Sequence, residues 1–297
     1  MNNFKIGLVL QGGGIRGAFT AGVLDAFLDA NVSFDVIGGT SAGALQAISF
    51  VSKDYGRNLT VLTKLMRGKK FLSIRNLVFK KTIFDFDYLF NVAPYSDCPF
   101  SFDTYYSNPT EIISAATSLV DGKATYFRKS DKNFFPGTSA SASLPLLSKP
   151  FFVDGVPYLD GSSSDPIPLD YISELGCEKI VVVLTRHKGF RKKKRRKSHI
   201  KMAKWAYKKY PKYLEAYENE YLVYNKIVDK IDRLSEEGKI FAIYPSEPLN
   251  ISHTEKDEKK ITAVYELGKR IAMEKMDEMK EFLNCDEPKL ETKTNNE

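Results

Sequence analysis

The segment Gly39–Gly43, with the sequence GTSAG, is the part of this chain whose residue types and spacing could do chemistry. It follows the short, mostly apolar run Phe34–Ile37 and leads into small residues, so the pattern predicts a strand that turns sharply into a helix. At such a turn Ser41 is exposed at the carboxyl end of the strand and could act as a nucleophile. The same spacing is also typical of a structural turn with a capping Ser or Thr. Five residues alone leave both interpretations open.

A second glycine turn lies near the start of the chain. Ile6–Leu10 is an apolar strand candidate, and after Gln11 it runs into Gly12–Gly17, with the sequence GGGIRG. The residues that follow have helical periodicity. Backbone N–H groups at such a turn favour negative charge. The Ser41 turn would therefore supply a nucleophile, and this turn could supply an oxyanion hole.

The two turns resemble the first two motifs of the patatin-like phospholipases. Two later segments fit the same family. Ala140–Pro145, with the sequence ASASLP, is similar to its small-residue block before the catalytic aspartate, and Asp160–Ser162 resembles its Asp-Gly-Gly or Asp-Gly-Ala. The four segments stand in the family's order and span most of residues 5–185. Ser162 replaces the usual Gly or Ala and is still small enough for a tight turn.

The resemblance implies a serine acyl hydrolase, a carboxylic ester hydrolase acting on fatty-acyl esters of phospholipids or lysophospholipids. Asp160 would be the base for Ser41, in a dyad without histidine. The acyl group would pass to Ser41 and then to water, and neither a metal nor an organic cofactor is required. The backbone N–H groups of the oxyanion hole would come from Gly13 and Gly14, with Gly12 helping to form the turn.

Two features of this site need physical support. A carboxylate with an ordinary pKa near ~4 is a poor acceptor for an alcohol proton. Asp160 can work only within hydrogen-bond reach of Ser41 and beside a hole that stabilises the tetrahedral intermediate. Arg16 either holds the loop or meets a substrate phosphate, or it is a solvated arginine at a helix start.

A triad that includes histidine is an alternative. His187 lies just beyond an apolar run that ends at Thr185, so Ser41, Asp160 and His187 follow the chain order of α/β-hydrolase triads. A histidine beside a basic run is also typical of a solvated surface.

Nucleotide binding is the alternative from another functional class. Gly12, Gly14 and Gly17 fit G-x-G-x-x-G after a strand. The dinucleotide-binding motif also requires an acidic residue at the end of a second strand, about 20 residues further along the chain. Asp35 precedes its strand instead, and the chain has no G-x-x-x-x-G-K-[ST] segment.

Length and periodicity predict an α/β architecture, as one large domain or two smaller ones. A chain of 297 residues, 43% of them hydrophobic, can bury a large core. Strand candidates such as Lys179–Thr185 alternate with helical segments, and Phe151–Gly161 indicates a hairpin. Ala124–Phe127 and Asn133–Phe135 also read as short strands. We expect a three-layer sandwich with a mostly parallel central sheet between helices.

Two parts are predicted along the chain. Residues 1–185 form the catalytic core, with an aromatic-rich insert at about 71–106, and residues 186–297 form a basic loop and helical C-terminal region that packs on the core. The insert has two interpretations. It is an aromatic subdomain that adds buried area, or part of it lines a pocket for an acyl chain.

The charge is concentrated in one segment. The chain carries a net +7, while residues 179–214 contain fifteen Lys or Arg and no Asp or Glu, so the rest of the chain is acidic. A solvated loop, a nucleic-acid patch and an anchor to an anionic membrane are all compatible with this run. A phospholipase must reach an interface, so we expect the membrane and not nucleic acid. The run consists of Arg191, Lys192, Lys193, Lys194, Arg195, Arg196 and Lys197.

Cysteine use and hydropathy bear on the compartment. Cys98, Cys177 and Cys285 are scattered and odd in number, which favours a reducing compartment over a disulfide framework or a zinc site. No signal-type segment and no membrane-length apolar run is found. We expect a cytoplasmic protein with peripheral attachment to a membrane.

Overall fold

The computed structural model describes residues 5–65, 85–253 and 255–284. Within these residues eight strands form a single sheet. They are Ile6–Leu10 (β1), Val36–Thr40 (β2), Glu111–Ser118 (β3), Ala124–Arg128 (β4), Phe151–Val153 (β5), Val156–Asp160 (β6), Lys179–Val183 (β7) and Phe241–Ile243 (β8).

The centre of the sheet is parallel. Its order is β5-β6-β3-β2-β1-β7-β8, and β4 pairs with β3 beside this path. The pairs β1–β2, β2–β3, β1–β7 and β7–β8 are parallel, whereas β4 and β6 run antiparallel to β3. The carboxyl ends of β1, β2, β3 and β7 therefore meet at one edge, where functional groups of α/β sheets collect.

Helices occupy both faces of this sheet. They are Ala18–Asp29 (α1), Ala42–Val51 (α2), Arg57–Thr60 (α3), Phe102–Ser107 (α4), Phe134–Ser141 (α5), Leu169–Glu174 (α6), Lys197–Ala206 (α7), Pro211–Glu236 (α8), Glu258–Glu274 (α9) and Met276–Asn284 (α10). π-helical turns cover Val61–Leu65 and Tyr88–Val92.

Alternation along the strands divides the core into two layers. Leu8 and Leu10 of β1 face the helices α1, α2, α9 and α10, whereas Val9 between them faces α6 and α8. Successive strand residues point to opposite faces, so a continuous apolar run such as β1 contributes buried side chains to both layers of the core. The predicted three-layer α/β fold with a mostly parallel sheet is confirmed.

The C-terminal part contributes to this architecture. Strand β8 pairs with β7, and α9 crosses α1 at very close range. A Cβ on Gly22 would lie 1.9 Å from the carbonyl oxygen of Tyr265, and one on Gly268 would lie 2.1 Å from that of Phe19. The division at residue 185 stays a prediction. Residues 71–84 of the aromatic insert lie outside the described residues.

One local prediction is wrong, and one strand was not predicted. Asn133–Phe135 is not a strand, because helix α5 begins at Phe134. Pro136 falls in the first helical turn, where its missing N–H costs nothing. Strand β3, the central strand between β2 and β6, carries no strong sequence signal because much of its second half is Ser, Ala and Thr.

Candidate active site

The sheet register brings Ser41 and Asp160 to the same level. Thr40, the last residue of β2, is paired with Ala115 of β3, and the next residue of β3, Ala116, is paired with Asp160 at the end of β6. Ser41 and Asp160 therefore flank β3 at the edge where the carboxyl ends of the parallel strands meet. Two strand spacings of about 4.8 Å separate their backbones, a gap that two side chains pointing toward each other can bridge.

Ser41 occupies a strained turn. Its φ of 56° and ψ of −123° are unusual for a residue with a Cβ, and it immediately precedes α2. A Cβ on Gly39 would lie 2.6 Å from the nitrogen of Ala44, and one on Gly43 would lie 2.4 Å from the carbonyl oxygen of Leu10. Both glycines of GTSAG are thus required by close backbone approach.

Ser141 holds this turn from the neighbouring helix. The backbone N–H of Ser41 donates to Ser141 Oγ at 2.8 Å, and that hydroxyl donates to the carbonyl oxygen of Ala115 at 2.6 Å. The sequence placed Ser141 in a family-like block but gave it no role. Its contact partners are 100 and 26 residues away in the chain, so spacing could not reveal it.

Asp160 is a buried carboxylate with one firm hydrogen bond. Its side chain accepts from the backbone N–H of Ser162 at 2.9 Å through Oδ1. Gly161 is necessary beside it, since a Cβ there would lie 2.2 Å from the carbonyl oxygen of Ala115. Oδ2 has no partner in hydrogen-bond geometry among the described residues. A free oxygen on a buried carboxylate is available to accept a proton.

The environment of Asp160 strengthens it as a base. Burial raises the pKa of its carboxyl, the adjacent Ser41 hydroxyl and the hydrogen bonding from Ser162 lower that pKa, and the nearby charge of Glu220 raises it. Burial is the largest of these influences. The Ser41 hydroxyl lies close enough to lower the pKa of Asp160 but outside the geometry of a formed hydrogen bond with Oδ2. Hydrogen bonds between catalytic groups often tighten only when substrate is bound. A raised pKa reduces the mismatch with an alcohol proton.

The glycine turn lies directly against the Ser41 turn. A Cβ on Gly12 would lie 3.1 Å from the Cβ of Ser41. No described residue accepts a hydrogen bond from the backbone N–H of Gly12, Gly13 or Gly14. Gly14 has a φ of +57°, a conformation that glycine adopts without strain. The turn thus presents unpaired donors beside the Ser41 hydroxyl.

Side chains around β7 fix the glycine turn. Gln11 Oε1 accepts from the backbone N–H of Thr185 at 2.9 Å, and the Thr185 hydroxyl contacts the carbonyl oxygen of Gly12 at 3.3 Å. Gln11 Nε2 donates to Tyr224 on α8 at 3.3 Å. The turn is therefore clamped between strand β7 and a helix of the C-terminal part.

Arg16 is buried and pairs with a histidine. Its guanidinium donates to His253 Nε2, and no carboxylate pairs with it among the described residues. Burial, followed by the charge of Arg186, lowers the pKa of Arg16 to about 9, so it stays cationic at neutral pH. The interpretation of Arg16 as a solvated helix-start arginine is excluded. The interpretation that it meets a substrate phosphate stays a prediction.

Sequence reasoning passed over His253. A Cβ on Gly14 would lie 3.3 Å from its Nδ1, so the ring stands next to the glycine turn. His253 as a whole is solvent-exposed. Desolvation of its ring, followed by the charges of Arg16 and Arg186, lowers the pKa of His253, so the neutral imidazole is favoured at pH 7. Because His253 lies far from Gly14 in the sequence, no local sequence pattern indicated that the two residues are neighbours.

His187 and Asp35 serve local structure. His187 Nδ1 contacts the carbonyl oxygen of Lys188 at 2.8 Å, and its ring packs on Phe190. None of the hydrogen bonds of Asp160 to described residues reaches His187. Asp35 accepts from the backbone N–H of Ile6 at the amino end of β2, the end opposite to the one where a dinucleotide ribose would need it.

An apolar cavity opens beside Ser41. Its enclosed volume is about 100 Å³, and it extends from Ser41 and Gly14 between α2 and the described part of the aromatic insert. Apolar side chains dominate its wall, among them Leu45, Ile48, Leu62, Phe86, Leu89, Phe90, Phe100, Phe102, Phe135 and Leu144.

The basic run divides into two groups. Arg191 pairs with Asp229 and Asp232 of α8, and Glu220 of the same helix pairs with Lys192 and Arg195. These three cations hold the loop to α8 and are only partly exposed. The other four, which form no ion pair among the described residues, are solvent-exposed: Lys193, Lys194, Arg196 and Lys197.

Three further observations concern metals, membranes and cysteines. The described residues include no group of three or more His, Cys, Asp or Glu arranged to hold a metal. Across those same residues, no helix combines the length and the apolar composition that a membrane span requires. Cys98 and Cys177 are buried free thiols, and Cys285 lies outside the described residues.

The strained serine turn and the adjacent glycine turn lie together at the carboxyl edge of an α/β sheet, and sequence comparison identifies the family. The profile of Patatin-like phospholipases matches residues 8–172. The chain therefore belongs to the patatin-like phospholipase family. A second profile, Domain of unknown function (DUF6363), matches residues 210–284, which include α8, β8, α9 and α10.

Curated relatives share the same region. The chain is 32% identical over 186 residues to Uncharacterized protein YjjU of Escherichia coli, covering 61% of this chain and 52% of that protein. It is 30% identical to Lysophospholipase nte1 of Aspergillus niger over 60% of this chain and 12% of that protein. The corresponding figures for Neuropathy target esterase sws of Drosophila melanogaster are 30%, 60% and 13%. The chain thus matches about half of the first relative and a small part of the others.

Among solved structures, VipD from Legionella pneumophila is similar at a TM-score of 0.44 and 11% identity. The match covers 93% of this chain and 67% of that one.

Proposed function

We propose that this protein is a serine acyl hydrolase that cleaves fatty-acyl esters of phospholipids or lysophospholipids. One observation carries the proposal: Ser41 sits on a strained turn that faces a buried carboxylate and adjoins a turn of unpaired backbone N–H groups. Membership of the patatin-like phospholipase family supports the reaction class. The names of the lysophospholipase relatives support a lipid ester as the substrate.

The proposed chemistry has two acyl-transfer steps. Ser41 Oγ attacks the ester carbonyl while Asp160 takes the hydroxyl proton, and the oxyanion is held by N–H groups of Gly13 and Gly14. The intermediate expels the alcohol, which takes the proton back from Asp160 and leaves an acyl ester on Ser41. Water, deprotonated by Asp160, then attacks this ester. The fatty acid leaves and Ser41 recovers its proton.

Hydrolysis assays test this proposal. Release of fatty acid from lysophospholipid and phospholipid vesicles, and of nitrophenol from a short-chain ester, should fall about a thousandfold or more in Ser41→Ala. A matched control is Ser139→Ala, a buried serine whose hydroxyl bonds only within α5. Wild-type protein inactive on every ester, or Ser41→Ala as active as wild type, would contradict the proposal.

The triad with His187 predicts a different result. His187 bonds to its own loop, which favours the dyad. His187→Ala should therefore retain most of the esterase activity, whereas Asp160→Asn should lose about a hundredfold or more. Activity that survives in Asp160→Asn and disappears in His187→Ala would favour the triad.

We further propose that the cavity beside Ser41 holds the acyl chain. Part of its wall comes from the aromatic insert, in which Phe86 and Leu89 are buried. Phe90→Ala, at a half-buried position of the wall, should shift the preferred ester toward longer or bulkier chains. The kcat/KM for a series of nitrophenyl esters measures this shift. Loss of stability with unchanged chain-length preference would leave the insert as a packing subdomain only.

The proposal includes peripheral contact with an anionic membrane, since the substrate resides in an interface. Residues 191–197 were the expected anchor, but Arg191, Lys192 and Arg195 are engaged by acidic residues of α8. The exposed members of the run are therefore the ones available for this role.

A further inference from the structure

Helix α7, which follows the basic run, exposes its largest apolar side chains. Met202 is 50% exposed and Trp205 is 82% exposed, and residues three apart are neighbours on a helix surface. The opposite side is firmly packed: Ala203 and the following Tyr207 are buried in a cluster with Tyr213 and Tyr217. The helix is thus fixed by its inner side while a tryptophan and a methionine face solvent.

The cations around this helix also face solvent. Lys193, Lys194, Arg196 and Lys197 precede or begin it, Lys201 lies beside Met202 and Trp205, and three lysines follow it. Lys204 alone on the helix is paired, to Glu218 of α8. The exposed cations without an ion pair among the described residues are Lys193, Lys194, Arg196, Lys197, Lys201, Lys208, Lys209 and Lys212.

A short loop joins this surface to the catalytic cavity. Leu144 lines the cavity, and two residues later the backbone N–H of Leu146 donates to the Tyr207 hydroxyl at 2.7 Å. Leu147, the next residue, is 40% exposed. The apolar wall of the cavity therefore continues through an exposed leucine to the end of α7.

We propose that α7 and the loop Leu144–Leu147 form the surface by which this protein docks on an anionic lipid bilayer. Trp205, Met202 and Leu147 enter the boundary between head groups and acyl chains, while the surrounding lysines contact anionic head groups. The inference rests on the proposed lipid-ester function, and it gives a short path for a lipid from the bilayer to Ser41.

Charge and surface chemistry favour the bilayer over other partners. A second copy of the chain would bring two strongly cationic surfaces together, and like charges repel. Nucleic acid would neutralise the lysines, but its phosphate backbone would leave Met202 and Leu147 without an apolar partner. A bilayer with anionic lipid satisfies both the cations and the exposed apolar side chains.

Trp205 reports directly on the proposed contact because it is the only tryptophan in the chain. Its emission should shift to shorter wavelength when vesicles of phosphatidylglycerol and phosphatidylcholine are added. Vesicles of phosphatidylcholine alone should give little shift, and high salt should reverse the shift because the attraction is screened.

Paired variants separate this surface from others. Vesicle sedimentation measures the binding of each variant. Trp205→Ala and the double variant Lys208→Glu with Lys209→Glu should each bind vesicles at least tenfold more weakly than wild type. Met273→Ala, an exposed methionine of α9, and Lys259→Glu with Lys260→Glu, exposed lysines of the same helix, should bind like wild type. Trp205→Ala and the double lysine variant at 208 and 209 should hydrolyse a soluble short-chain ester at the wild-type rate and vesicle lipid more slowly.

Several results would overturn the docking proposal. One is that Trp205→Ala and the double lysine variant at 208 and 209 bind vesicles as wild type does. Another is a Trp205 shift that depends on protein concentration without lipid, which would indicate a second copy. A third is that a duplex oligonucleotide displaces the protein from vesicles, and that the binding requires Lys208 and Lys209 but not Trp205. Inactivity on soluble ester with intact vesicle binding would instead contradict the hydrolase proposal and leave docking standing.

Discussion

At the scale of single residues, the site depends on how its environment changes two ordinary side chains. Ser41 is held with positive φ between glycines whose close contacts leave no room for a Cβ. Asp160 is nearly completely buried, and burial raises the pKa of its carboxyl. The concern that an aspartate is too weak a base is thus partly answered by desolvation, which makes its carboxylate a better proton acceptor.

This environment predicts the pH dependence. Asp160 must be ionised to accept the Ser41 proton, so kcat/KM should fall as the pH drops through its pKa and reach a plateau above it. Because burial raises that pKa, the midpoint should lie above the ~3.9 of an unperturbed aspartate. A pH profile of soluble-ester hydrolysis measures it.

A second carboxyl provides the control for this profile. Burial raises the pKa of Asp165 to about 6, and its side chain accepts from Tyr126. Asp165→Asn should keep the acid limb if Asp160 causes it. A limb that moves or disappears in Asp165→Asn, or a midpoint at or below the ordinary value, would contradict the assignment.

At the scale of elements, strand register and one helix end position the proposed catalytic pair. Strand β3 separates Ser41 from Asp160, and α5 supplies Ser141, which bonds to both the Ser41 turn and β3. Removing the Ser141 hydroxyl leaves the buried N–H of Ser41 unsatisfied, at a cost of about 1–3 kcal/mol.

Ser141→Ala should therefore lower both stability and kcat. Denaturant unfolding should show the loss of about 1–3 kcal/mol, and soluble-ester kinetics should show a lower kcat because the turn is less well fixed. Ser139→Ala removes only a hydroxyl bond to Phe135 within the same helix, and its effect should be smaller. Equal effects of the two variants would show that Ser141 has no special role.

The sequence predicted those elements that carry strong local patterns. Strand β1, the hairpin within Phe151–Gly161 and a strand at Lys179–Thr185, which the structure shows as Lys179–Val183, were predicted from apolar runs and turn residues. Strand β3 was not, because its Ser, Ala and Thr residues become strand only through pairing with neighbours on both sides. His253 and Ser141 reach the site through tertiary contacts, and a single sequence contains no periodicity that reports such contacts.

At the scale of the whole molecule, the C-terminal part completes the sheet and covers one of its helices. Strand β8 extends the sheet, α8 supports Gln11, and α9 covers α1 at the contact of Gly22 with Tyr265. The predicted boundary at residue 185 would separate these partners. A fragment of residues 1–185 would expose the apolar side of α1, including Phe19 and Phe27.

We therefore expect the fragment 1–185 to lack a cooperative unfolding transition. Near-UV circular dichroism during thermal unfolding measures this, and a chain ending at residue 284, which keeps every described element, is the matched control. A fragment that unfolds cooperatively and hydrolyses soluble ester would show instead that residues 1–185 fold independently.

The measurement that tests the central claim most directly is covalent labelling of Ser41. A fluorophosphonate transfers its phosphonyl group to an activated serine and releases fluoride, so intact mass and peptide mapping give both the rate and the site. We expect one adduct, on Ser41, in wild type and none in Ser41→Ala. Labelling in Asp160→Asn should be slower by about a hundredfold or more, and His187→Ala should label like wild type. Labelling at another residue, or an Asp160→Asn rate equal to wild type, would contradict the Ser41–Asp160 dyad.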